Sequence, residues 1–188
     1  PQDIAYFCHG TTVGTNALLE GKGVRTGLLV TEGFRGIYEV AEQSRPHGPA
    51  IFDIFYDRPP MLAPASRTAE VRERVAFDGA IVTPLDEASL RQAVLALKKQ
   101  NVEAIAVCFL FSFLTPQHER RARDVIEAEI PGCNVSLSCE VVPQIREYYR
   151  LSTTVINAYL APILARYIAN LDARLNETGV CTKQKYIM

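Results

Sequence analysis

The chain has 188 residues, 48% hydrophobic and 22% charged, with 20 Lys and Arg against 21 Asp and Glu. That length fits one domain and holds enough chain for a core without disulfide or metal staples. The near-neutral balance excludes a general nucleic-acid surface, and average Gly and Pro usage excludes collagen-like and low-complexity classes. The longest uncharged apolar run, 104–111, is far too short to span a bilayer.

No basic stretch followed by an apolar run opens the chain, and it begins with Pro1 rather than Met, so a clipped segment of a longer product is expected. The five cysteines, Cys8, Cys108, Cys133, Cys139 and Cys181, include no C-x-x-C pair. They read as reduced, mostly buried thiols of a cytoplasmic protein.

In chain order, 3–8 reads as a strand, followed by Gly10-Thr11-Thr12 and a helix through Leu19 that Gly21-Lys22-Gly23 ends. A second strand is predicted over 24–31 and a short helix over 34–43. Five prolines between Ser44 and Pro64 mark an excursion, with Phe52, Phe55 and Tyr56 expected to anchor it. The alternation over 69–75, with Val71 and Val75 on one side, predicts a strand. Asp78-Gly79 is a hairpin signal before a return strand over 80–82.

Thr83-Pro84 and Thr115-Pro116 each read as an N-cap with proline in the first helical position. Leu90, Val94 and Leu97 give the first of these helices an apolar face, and Ala122, Val125 and Ile126 the second. A buried strand over 102–111 lies between them and another over 134–138 follows. Strand and helix alternating with short links imply parallel pairing and an α/β fold. The last third, 144–177, is one long helical pattern in which Pro162 predicts a kink or break near Tyr159. A further strand begins over 180–188.

Several motifs fail. Gly21-Lys22-Gly23 has Asn16 where a phosphate loop needs glycine, and Gly23 where it needs Ser or Thr. The three histidines lack ligand spacing, and His118 is expected on the surface. Arg120, Arg121 and Arg123 read as a solvated face partnered by Glu119, Asp124 and Glu127.

Two segments are more specific. His9 to Glu20, HGTTVGTNALLE, places a glycine and several hydroxyls where a strand meets a helix, which serves either as a holder for an anion or carbonyl or as a plain N-cap. Ser138 to Pro162 places Glu140 at the carboxyl end of a strand, where open α/β sheets bind ligands, with Arg146, Ser152, Thr153 and Asn157 along the helix beyond. A capped, salt-bridged helix is the alternative there.

HGTTVGTNALLE, TEGFRG, RPP, the DG-x-x-x-TPLDE stretch, VEAIAVCFLFSFLTPQHERR and SCEVVPQIREYYRLSTTVINAYLAP together resemble the amino-terminal region of the hydantoinase/oxoprolinase A subunits. The resemblance runs in order through 1–188, taken as a single amino-terminal-type domain. It implies a mixed or mostly parallel sheet within an actin-like ATPase-type architecture, ending in the long kinked helix. It also implies ATP-dependent activation of a cyclic amide carbonyl followed by ring opening, or ATP-dependent ketone carboxylation in the carboxylase branch. A second, B-type subunit or fused domain, a small-molecule substrate, an oligomer, and ATP with Mg2+ are expected, the last two held mainly by parts beyond this segment. Gly10, Thr11, Thr12 and Asn16 are the expected donors to an anionic or carbonyl group, with Glu140 and Arg146 near the mouth. No resident metal site, no membrane and no nucleic acid are expected. A docking module built on the Tyr-rich helix is the alternative class.

Overall fold

The computed structural model describes residues 4–41, 52–55, 59–180, 182 and 184–188. It divides into two compact units, the smaller made of residues 1–24 and 160–188 and the larger of Arg25–Tyr159.

The larger unit is built on a four-stranded, wholly parallel sheet in the order β3-β2-β6-β7, with β2 Thr26–Thr31, β3 Thr68–Val71, β6 Ala104–Cys108 and β7 Asn134–Leu137. Every residue of β2 and β6 is buried, as expected of central parallel strands covered on both faces. Helices α3 (Glu87–Lys99) and α4 (Gln117–Glu129) pack on this sheet. Leu90, Val94 and Leu97 are each at most 1% exposed, and burying such a side chain contributes about 1.5–3 kcal/mol. A short hairpin of β4 (Arg74–Val75) and β5 (Ile81–Thr83) turns at Asp78-Gly79, where Gly79 adopts φ +86°. Short helices α2 (Ile37–Val40) and α5 (Ser138–Val141) complete this unit, and α6 (Glu147–Glu177) begins in it.

Helix starts differ from the sequence reading. Asp86, not Thr83, caps α3, its side chain accepting the amides of Ala88 and Ser89, which stabilises the helix by about 1 kcal/mol. Thr115 does not cap α4; its hydroxyl donates 2.7 Å to the Gly79 carbonyl and ties the hairpin to the loop after β6. Phe52 and Phe55 are each 86% exposed and anchor nothing among the described residues, while Tyr56 lies outside them.

The smaller unit pairs β1 (Phe7–His9) with β8 (Lys185–Ile187) in parallel, Phe7 opposite Lys185 and His9 opposite Ile187. Helix α1 (Val13–Leu19) follows β1, and Gly14 lets it approach Leu164 of α6. α6 runs unbroken through Pro162, starting at Glu147 rather than at 144. The expected break at Tyr159 does not occur, although the boundary between units falls there. Among the described residues no helix is long and apolar enough to cross a membrane.

Candidate functional site

In the smaller unit the ladder of β1 and β8 extends past the strands. Met188 donates its amide to the His9 carbonyl at 2.9 Å, and the Thr11 amide donates to the Met188 carbonyl at 2.7 Å. This holds the turn Gly10-Thr11-Thr12 at the carboxyl ends of two parallel strands, the edge where α/β sheets place ligands. His9 is fixed by a 2.5 Å hydrogen bond between Nε2 and the Tyr167 hydroxyl, and its ring stacks on Phe7 and Tyr167.

The side chains of the turn are arranged for donation. Thr11 Oγ1 accepts the Val13 amide at 3.2 Å, and Thr12 Oγ1 accepts Asn16 Nδ2 at 3.3 Å. Both hydroxyls act as acceptors within the chain, so each keeps its own O–H for another acceptor. Thr12 occupies the N-cap position without bonding a backbone amide; the ordinary capping reading therefore fails for it. A Cβ on Gly10 would meet nothing within 4 Å, and its φ is not positive, so neither packing nor backbone geometry in this unit demands glycine there. An open face at Gly10 admits a ligand close to the backbone. Gly10, Thr11, Thr12 and Asn16 are thus brought together.

Glu140 and Arg146 belong to the larger unit. Glu140, in α5 just beyond β7, is gripped by both terminal nitrogens of Arg123, one at 2.9 Å. That bond holds the Glu140 carboxyl below the usual carboxylate range. Arg146 is exposed and takes φ +80°, a conformation costly for a residue with a Cβ. The structure does not join Glu140 and Arg146 by any hydrogen bond or ion pair; each stands separately on the rim beyond β7.

Beneath that rim lies a buried polar layer that the sequence reading missed. Glu119 is 0% exposed; its Oε1 accepts the Phe109 amide at 2.9 Å and the Ser138 hydroxyl at 2.6 Å, and its Oε2 accepts the Cys139 amide at 2.8 Å. His118 is buried rather than on the surface, its Nδ1 2.8 Å from Glu73 Oε2. Glu73 also receives the Thr31 hydroxyl, whose oxygen accepts the Leu110 amide at 3.0 Å. Arg150 donates to the Phe109 carbonyl at 2.7 Å and lies over the Phe113 ring. These bonds join residues at or just past the carboxyl ends of β2, β3, β6 and β7, so the loops of the rim are fixed from below.

The arginines of α4 are partnered only in part as the sequence reading expected, Arg121 with Asp124 being the expected pair. Arg121 pairs with Glu87 and Asp124, Arg123 with Glu140, and Glu119 takes none of them. Cys108 is buried, and desolvation pushes its thiol up to about 11 despite the nearby Arg150 guanidinium. Cys8 is an exposed thiol, against the expectation of burial, and Cys181 lies outside the described residues. Among the described residues no three His, Cys, Asp or Glu side chains cluster to hold a metal ion.

The profile of the hydantoinase/oxoprolinase N-terminal region matches residues 1–130, and the chain belongs to that family. It is 40% identical to caprolactamase subunit alpha of Pseudomonas jessenii over 99% of its own length and 27% of that subunit. The crystal structure of ATP-dependent caprolactamase from that organism matches with a TM-score of 0.90 over 99% of this chain and 27% of the other, at 38% identity. The nucleotide-free structure of acetone carboxylase, from work on ATP-dependent acetone carboxylation, matches at 0.88 with 26% identity, over 100% of this chain and 28% of the other. 5-oxoprolinase 1 of Arabidopsis thaliana is 30% identical over 93% of this chain and 15% of its own length. The chain therefore spans about a quarter of the caprolactamase subunit and less of the oxoprolinase.

Proposed function

We propose that the chain is the amino-terminal domain of an A-type subunit that uses ATP to activate the carbonyl of a cyclic amide and so opens the ring with water. The observation that carries this reading is the Gly10-Thr11-Thr12 turn, with two hydroxyls free to donate and an open face at Gly10. Such a turn fits a phosphoryl or carbonyl oxygen, which gains charge as the amide is activated. The turn offers donors and no carboxylate, so it fits the phosphoryl group and not the Mg2+ that accompanies ATP; the ion is assigned to residues elsewhere in the enzyme. In this reading Gly10, Thr11, Thr12 and Asn16 donate to the ligand, and Glu140 and Arg146 of the larger unit are further proposed ligand-binding residues. An actin-like ATPase-type architecture and an oligomeric enzyme belong to the same reading, as does a B-type partner or fused domain, which the subunit name of the caprolactamase relative supports. Cytoplasmic residence is part of it.

Ketone carboxylation is the second reading, favoured by the likeness to acetone carboxylase. ATP hydrolysis by the full-length enzyme with its partner subunit decides between the two. Stimulation by hydantoin, 5-oxoproline or another lactam supports ring opening; stimulation only by a ketone with bicarbonate moves the enzyme to the carboxylase branch. No stimulation by any of them overturns both.

A further inference from the structure

The strand order of the larger unit, β3-β2-β6-β7, makes the chain cross from one side of β2 to the other between β3 and β6. A parallel sheet wound this way opens a crevice at the carboxyl ends of β2 and β6, the place where such sheets take their ligands. One hydrogen-bonded chain runs across those ends. The Leu110 amide, just past β6, donates to Thr31 Oγ1 at the end of β2 at 3.0 Å, and the Thr31 hydroxyl donates to Glu73 Oε1. His118 Nδ1 lies 2.8 Å from Glu73 Oε2. The Glu73 side chain is 0% exposed and that of His118 is 8%.

Every proton in this chain has its place. Thr31 Oγ1 already accepts from Leu110, so its own O–H goes to Glu73; a carboxylate only accepts, so Nδ1 carries the ring proton. The neutral ring therefore keeps its lone pair on Nε2. Nε2 has no partner among the described residues and is not closed off from solvent, and it lies on the side of the ring away from the buried carboxylate. An oriented acceptor of this kind takes a ligand that brings an N–H or O–H. It turns away one that brings only lone pairs there, such as a phosphoryl oxygen or a ketone. In ring opening the amide carbonyl is occupied by activation, and the ring N–H is the polar group of the amide left to hold.

We propose that His118 Nε2 accepts the ring N–H of a cyclic amide at the switch point of the larger unit's sheet, with Glu73 and Thr31 as the positioning residues that fix its tautomer; the inference rests on the ring-opening reading. It makes His118 a discriminator between the two substrate classes, since a ketone offers it no donor.

The test uses the full-length enzyme with its partner subunit, and hydantoin, 5-oxoproline and 2-piperidone as probes, each beside its fully N-methylated analogue. Diethyl pyrocarbonate acylates the lone-pair nitrogen of an imidazole, and peptide mass spectrometry reads its addition to His118. The expected results are labelling of the free enzyme, protection by the cyclic amide that stimulates ATP hydrolysis, and no protection by its N-methylated analogue or by ATP alone. That amide should also be preferred over its analogue in kcat/KM by about tenfold or more, the scale of one unmade buried hydrogen bond. In Glu73→Gln the Thr31 hydroxyl takes the amide oxygen, so the side-chain N–H faces Nδ1 and moves the ring proton to Nε2. Labelling should then be lost, and the preference should shrink to within about threefold, through KM. A merely structural His118 shows neither change. Thr31→Ser, which keeps the hydroxyl, should behave as the parent does. Should Glu73→Gln fail to fold, protection of the parent enzyme still decides. A His118 that stays unlabelled in the free enzyme, protection by ATP alone, or a preference that survives Glu73→Gln overturns the proposal and leaves ring opening standing. No stimulation by any of the three amides overturns both.

Discussion

Glu119 accepts the Phe109 amide at 2.9 Å, bonding helix α4 to the first residue past strand β6. The same carboxylate takes the Ser138 hydroxyl and the Cys139 amide, so a single side chain carries hydrogen bonds from two loops of the rim. Glu119→Ala strands three buried donors, and the expected loss is about 3 kcal/mol, each orphaned group costing about 1–3 kcal/mol and partly rehydrating. Urea unfolding of the variant against the parent chain measures it; a loss below about 1 kcal/mol contradicts the account.

The Arg123–Glu140 pair predicts a definite pH dependence. The bond to Arg123 depresses the Glu140 carboxyl in the folded chain. Its contribution is therefore complete above the ordinary carboxylate range and is lost as pH falls through the lowered folded value. The pair is partly exposed, so the effect is small. Urea midpoints of Glu140→Gln and the parent chain should differ at pH 6–7 and converge toward pH 3. A gap that widens on acidification runs against this sign.

Thiol labelling separates the cysteines. Cys8 is exposed and should react with iodoacetamide in the native chain at pH 7.5, whereas Cys108 is buried with its thiol held near 11. Cys139, pushed up to about 12 by desolvation and then by Glu119, should also be slow. Peptide mass spectrometry after timed labelling reads all three, and fast native modification of Cys108 counts against the packing described.

Thr11→Ala and Thr12→Ala in the full-length enzyme should lower turnover several-fold while leaving the thermal midpoint within a few degrees. Thr12 is exposed and its Oγ1 receives only Asn16 Nδ2, so its removal costs at most about 0.5 kcal/mol of stability. Steady-state kinetics with matched thermal unfolding checks this. Unchanged turnover in both variants removes the hydroxyls from the site.

The sheet was legible because β6 is an uninterrupted apolar run, Ala104–Cys108, bounded by helices with clear apolar faces. The turn was legible because glycine and hydroxyls at a strand–helix junction have few packing uses. The buried polar layer escaped because His118 and Glu119 stand beside Arg120 and Arg121 and look like part of a charged surface. A signal was present, though: extending the Ala122, Val125, Ile126 face of α4 one turn back lands on His118 and Glu119. The same extension on α6, from Leu151, Thr154 and Val155, lands on Glu147 and Arg150. Composition marks such residues as surface, and only helical phase marks them as interior. The caps were misread because Thr83 ends β5, three residues before the Asp86 cap, and the Thr115 hydroxyl is taken up by the Gly79 carbonyl.

The central position of β2 has a consequence for how the chain is made. Its partners lie downstream, β3 from residue 68 and β6 from residue 104. At synthesis rates of about 5–20 residues per second, roughly 4–15 s separate the emergence of Leu28-Leu29-Val30 from that of the strand that seals its far edge. Until β6 is made, Leu28-Leu29-Val30 keeps one edge unpaired, and before β3 emerges it has both edges bare. The strand order itself thus leaves an apolar strand edge open to mispairing for the time that separates β2 from β6.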